Sequence, residues 1–159
     1  MVEQMCLNDV LLDSAKEIFG TMIFMDIMEV KELDPKDANW DILGSITFKG
    51  GIEGCLAICC TKPCAQAIAV NMLALDSPEE LTEDGMYDAI GEIANMVMGG
   101  VKSRVLKAVG TLEVSIPSVV SGHELRNTLG DNSTRVSIKA CVDDKYNCEF
   151  MLTYREKSK

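Results

Sequence analysis

Apolar residues recur at helical spacing from Val10 to Met22, at Val10, Leu11, Ala15, Ile18, Phe19 and Met22, and Asn8 is placed to cap the helix they predict. Asp34-Pro35 then reads as a turn. From Asp41 to Phe48 the period changes to that of a strand, with Ile42, Ile46 and Phe48 on one side, and Gly50-Gly51 joins this run to Ile52–Cys60 as a hairpin. Pro63 opens a second helix carrying Ala67, Ile68, Met72 and Leu75, which Asp76-Ser77-Pro78 ends. Ser77 with Glu80 predicts a capping box for a long third helix from Leu81 to Lys107. Three more strands follow: Thr111–Val120, Thr134–Val142 and Asn147–Tyr154, the last two joined by Asp143-Asp144-Lys145. Arg155–Lys159 is charged and expected to fray. One apolar face per strand, with helices to cover it, predicts an α+β fold: a mainly antiparallel sheet packed with helices. No linker or low-complexity stretch divides the 159 residues, a length suited to a single domain over 1–159.

The third helix is the most informative element. Met86, Ile90, Ile93, Ala94, Val97 and Val101 share one face and predict docking on the sheet. The opposite face carries Asp88, Glu92, Asn95, Gly99 and Lys102, each three or four residues from the last, so that Glu92 and Asn95 are neighbours pointing the same way. The ordinary role of such a stripe is to face water. Two features argue for more. Gly99-Gly100 interrupts a strong helical pattern where each glycine costs about 1 kcal/mol relative to alanine, which close approach of another chain would explain. Met96 and Met98 flank the stripe, and methionine suits adaptable contacts. Arg104 falls on the apolar side, predicting a bend or an earlier end to the helix.

The charge balance narrows the partners. A net charge of −10 opposes nucleic-acid binding, which relies on Lys and Arg to neutralise phosphates, and favours a protein partner bearing basic groups. No stretch approaches the roughly 20 apolar residues of a membrane span. Glu3, Asn8, Asp9 and Asp13 interrupt the start, so a secretory leader is not expected and the cytoplasm is. Seven cysteines at irregular positions fit reduced thiols in such a compartment. The densest group, Cys55, Cys59, Cys60 and Cys64, lacks the paired spacing of zinc or iron–sulfur sites, and Cys59 and Cys60 would point to opposite faces of a strand. Small apolar core residues are the expectation there, with a thiol or metal sensor as the competing reading. The single histidine, His123, offers little to a histidine-based site.

Asp88-Ala89-Ile90-Gly91-Glu92-Ile93-Ala94-Asn95, with Pro117 placed 22 positions after Asn95, resembles the CheC, CheX and FliY family of chemotaxis phosphatases, the single-domain CheX branch above all. Gly99-Gly100, the Pro117–Gly122 segment and the hairpin from Phe48-Lys49-Gly50 to Glu53-Gly54 are similar to that branch too, and the resemblance extends from about Asn8 to Tyr154. It implies a phosphatase for the phospho-aspartate of a CheY-like response regulator. By the same resemblance Asn95 orients the attacking water, Glu92 docks to a lysine of the receiver domain, and the receiver supplies Mg2+, the chain binding no cofactor of its own. Asp88, Met96, Gly99 and Lys102 become partner contacts, and a homodimer joined through edge strands is expected. A non-catalytic adaptor for a receiver or flagellar-switch component is the alternative. A second E-x-x-N, Glu124-Leu125-Arg126-Asn127, lacks the preceding Asp or Ser and the distant proline, and Gly122 and Gly130 bracket it, so a loop rather than a second catalytic helix is expected.

Overall fold

In the computed structural model, which describes residues 6–33, 39–122 and 132–157, helix α1 spans Leu7–Ile18 and continues into a π turn at Phe19–Ile23. The wider turn slips the helical register. Ile23 therefore enters the core, while Met22, expected on the apolar face, is exposed. Cys6 occupies the N-cap without a side-chain bond, so Asn8 lies inside the helix rather than capping it. The turn expected at Asp34-Pro35 lies outside the described residues.

A seven-stranded antiparallel sheet forms the centre. Its strands are β1 (Ile27–Glu29), β2 (Ile42–Lys49), β3 (Ile52–Cys60), β4 (Glu113–Val114), β5 (Ser118–Ser121), β6 (Thr134–Val142) and β7 (Tyr146–Glu156). The order is β1-β6-β7-β3-β2-β4, with β5 sharing the outer edge of β2. Helices α2 (Lys62–Met72) and α3 (Glu83–Val109) join α1 on one face. There Ile42, Ile46 and Phe48 of β2, Leu56 and Ile58 of β3, and Phe150 and Leu152 of β7 meet the helices in the main core. Phe19 packs edge-on against Phe150, ring centroids 5.7 Å apart.

Several elements depart from expectation. β1 was not anticipated. The expected strand Thr111–Val120 divides into β4 and β5, and the run Asn147–Tyr154 extends to Glu156, where Arg155 pairs with Glu53 instead of fraying. Ser77 makes no side-chain cap and begins only a 3-10 turn, Pro78–Glu80. The cap of α3 is Thr82, whose hydroxyl accepts from the Gly85 amide at 3.0 Å. The helix runs unbroken past Arg104, which reaches from its edge to Glu17 of α1 at 2.6 Å. A single apolar face per strand also proves insufficient. Leu43, Ala57, Cys59 and Met151 are buried on the far side of the sheet beneath Trp40, with Leu33 packed against them.

Cys59 and Cys60 do lie on opposite faces, one in each core, and none of the seven cysteines forms a disulfide. Among the described residues no group of three or more His, Cys, Asp or Glu is arranged to hold a metal ion. Burial, reinforced by the Glu149 carboxylate, pushes the Cys59 thiol from 9.0 up to about 12. The buried thiols of Cys60 and Cys148 are raised as well, Cys60 first through its bond with Cys64 and then through burial, Cys148 first through burial. These groups keep their protons in the folded chain at a pH where the unfolded chain loses them. Stability is therefore expected to hold below about pH 9 and to fall as the pH rises toward 12, by at most about 1.4 kcal/mol per pH unit for each thiol. Denaturant titrations at pH 8 and pH 10.5 check this, and the decline should shrink in Cys59→Ala.

Candidate functional site

Helix α3 is seated by close backbone approach on two sides. A Cβ at Gly44 of β2 would stand 2.8 Å from Ile90 Cγ2, so only glycine lets the helix lie this near the sheet. Across the helix, a Cβ at Gly100 would come 3.1 Å from that of Ser14, a fully buried residue of α1 whose hydroxyl donates to Val10 O. Gly100 is thus explained by packing within the chain, not by an outside partner. Gly99, in contrast, is exposed, with nothing within 4 Å of its missing Cβ.

With its apolar face fixed in this way, α3 presents Asp88, Glu92, Asn95 and Gly99 to solvent along one line, and Lys102 half-buried at its end. The pair Glu92 and Asn95, three residues apart, is brought onto one surface as the periodicity requires. Met96 is half-buried against the main core and offers only part of its surface to a partner; Met98 is fully buried and offers none. His123 and Glu124-Leu125-Arg126-Asn127 lie outside the described residues.

A groove runs beside Glu92, lined by Tyr87, Asp88, Gly91, Glu92, Ile116, Pro117 and Val119. Pro117 forms its far wall. A Cβ on Gly91 would meet Pro117 Cγ at 3.6 Å and Val119 Cγ2 at 3.5 Å, so the proline segment packs on α3 at the residue preceding Glu92. The Tyr87 hydroxyl donates to Ser121 Oγ at 2.9 Å and ties the N-terminal half of α3 to β5. Glu92 and Asn95 therefore stand on a helix clamped from three directions, which holds their backbone in one place while their side chains stay in water. Two carboxylates, Asp88 and Glu92, give the groove a cation-attracting character.

Two residues of this groove were not singled out from the sequence. Tyr87 belongs to the helix flank. Ile116 lies in a β-bulge: Phe48 pairs with Val114, Thr47 accepts from the Ser115 amide at 2.9 Å, and Ser45 pairs with Ser118, which leaves Ile116 and Pro117 together opposite Ile46. The signal available was Pro117 inside a strand pattern, since proline has no N–H for the ladder and marks edges and bulges.

Residues 42–141 match the family described as chemotaxis phosphatase CheX. No curated protein matches the chain. Among solved structures, a chemotaxis protein CheX from Desulfovibrio desulfuricans superposes with a TM-score of 0.78 at 19% identity, over 96% of this chain and 100% of that one. CheX from Vibrio vulnificus gives 0.76 at 24% identity, over 92% and 97%. A CheX–CheY–BeF3–Mg2+ complex from Borrelia burgdorferi gives 0.74 at 15% identity, over 93% and 97%. At these identities the structures share the fold, and it is the family match, spanning most of the sheet and all of α3, that assigns kinship: the chain belongs to the chemotaxis phosphatase CheX family.

Proposed function

We propose that the chain, acting as one domain, hydrolyses the phospho-aspartate of a CheY-like receiver domain, with Asn95 and Glu92 as its working pair. The observation that carries this reading is the presentation of both side chains on one exposed face of a clamped helix, in a member of a phosphatase family. Hydrolysis of an aspartyl phosphate is mostly a matter of placing a water in line with the breaking phosphorus–oxygen bond while the developing charge is stabilised. The water oxygen bonds to phosphorus, the bond to the carboxylate breaks, and both water protons leave with inorganic phosphate. Asn95 suits the placing role because its carbonyl oxygen accepts from the water while its amide donates to a neighbouring oxygen. Asparagine does not take up the proton, so the chemistry rests on orientation and not on general base catalysis. Glu92 supplies an acceptor for a cationic side chain, here the receiver lysine, which anchors the two proteins in register.

Magnesium enters with the receiver, where it neutralises charge on the phosphoryl oxygens; the Borrelia complex contains CheX and CheY with BeF3 and Mg2+. Asp88, Gly99 and the exposed part of Met96 extend the docking face, and Lys102 borders it. No helix of the described residues is long and apolar enough to cross a membrane, and we place the protein in the cytoplasm with its receiver. We also read it as a homodimer joined at edge strands, for which β1, the end strand of the sheet among the described residues, offers an edge; light scattering at micromolar concentration tests that. The function is tested by following phosphate loss from phosphorylated CheY in Mg2+ with and without the protein. Acceleration is expected, whereas binding without acceleration makes the chain an adaptor.

A further inference from the structure

Ile116 is 89% exposed, the most exposed large apolar side chain of the described residues, and it lines the same groove as Asp88 and Glu92. Its exposure is built into the backbone. Were β4 and β5 one continuous strand, alternation would continue through residue 116; instead the bulge opposite Ile46 turns the chain outward. On one side Ser115 fastens the bulge: its amide donates to Thr47 O at 2.9 Å, and its hydroxyl accepts from the Thr47 amide at 3.0 Å and lies 3.1 Å from Ile116 O. On the other side Pro117, with its fixed φ, packs against α3 at Gly91. A large β-branched side chain is thus held out in water by a rigid mount one groove-width from Glu92.

We infer that Ile116 is the apolar anchor by which the chain grips the receiver domain beside the phospho-aspartate, the carboxylates of the groove taking the receiver's cationic group while Ile116 fills an apolar depression next to it. This rests on the reading of Glu92 and Asn95 given above. Continuity with Glu92 selects the occupant: Ile116 and Glu92 line one groove, and a receiver that reaches Glu92 to be dephosphorylated meets Ile116 there. Rigid presentation is the property expected of an anchor, because little conformational freedom is lost when it is buried. The role is positional and not catalytic, so it belongs in affinity and leaves the chemical step alone.

The test compares wild type, Ile116→Ala and Ile116→Leu, using CheY phosphorylated by a small phosphodonor in Mg2+ for turnover and BeF3-activated CheY for binding. For Ile116→Ala, KM and Kd are expected to rise about tenfold or more, with kcat within about twofold and the melting temperature unchanged. Ile116→Leu should recover most of the affinity. A wild type that accelerates phosphate loss alongside an Ile116→Ala variant with unaltered KM and Kd overturns the anchor and leaves the phosphatase standing. A fall in particle mass by light scattering at unaltered receiver affinity overturns it too, by making Ile116 a contact between copies. A wild type that binds CheY without dephosphorylating it, with binding lost in Ile116→Ala, supports the anchor while refuting the catalysis. A wild type that neither binds nor dephosphorylates CheY overturns both.

Discussion

Replacing Asn95 with alanine is expected to lower the rate of receiver dephosphorylation at saturating protein by on the order of a hundredfold or more, while the affinity for BeF3-activated CheY changes little. The size follows from what Asn95 is asked to do. If catalysis consists of holding one water in line, removing the holder leaves the water free to adopt many positions of which few are productive. The contrast with binding follows from its place: Asn95 lies beside Glu92 on the exposed face, and of the two only Glu92 carries the charge proposed to meet the receiver lysine. Loss of folding does not imitate this result. Asn95 is exposed on α3, and alanine is the better helix former, so the variant should melt at the same temperature as wild type or slightly above it. Single-turnover decay of phosphorylated CheY, with the protein in excess, separates the two quantities. Retention of the full wild-type rate would remove Asn95 from the mechanism and move the search to the groups that line the groove beside Glu92.

The face that bears Asn95 was legible because it depends on one strong periodicity. Six apolar positions of α3, from Met86 to Val101, had to lie on one side, and all six are buried, which leaves Asp88, Glu92, Asn95 and Gly99 outside. The hairpin of β6 and β7 was legible for a similar reason: apolar residues at every second position from Val136 to Val142 and from Cys148 to Tyr154, and an Asp143-Asp144 turn in which both residues take the positive φ that a tight hairpin needs. What escaped were features set by single residues or by competition between equal signals. The π turn at Phe19–Ile23 follows the same apolar spacing as an α-helix until the register slips at Met22. Ser77 and Thr82 both resemble caps, and only the tertiary setting of α3 decides for Thr82. β1 has three residues, too few for alternation to register. The bulge at Ile116 left a single signal, Pro117, in a run that otherwise reads as a strand.

Phe150→Ala is expected to destabilise the fold by about 3–5 kcal/mol and to lower the melting temperature by on the order of 10 °C. Phe150 is fully buried on β7, between β6 and β3 in the middle of the sheet, with its ring against the edge of Phe19. Truncation removes a large apolar surface from the core and leaves a cavity that the surrounding elements cannot close easily, because β7 is fixed by ladders on both sides while Phe19 is fixed by the π turn. Such a loss is a large part of the roughly 5–15 kcal/mol that holds a domain of ordinary stability together. The consequence for function separates core from site. Glu92 and Asn95 are placed by the seat of α3 at Gly44, Ser14 and Pro117, and those contacts do not include Phe150. Molecules of Phe150→Ala that remain folded at low temperature should dephosphorylate the receiver at close to the wild-type rate and lose activity only as they melt. Activity lost well below the melting transition would instead mean that the packing of β7 and the π turn reaches α3, and that the helix is positioned by the whole core rather than by its own three contacts.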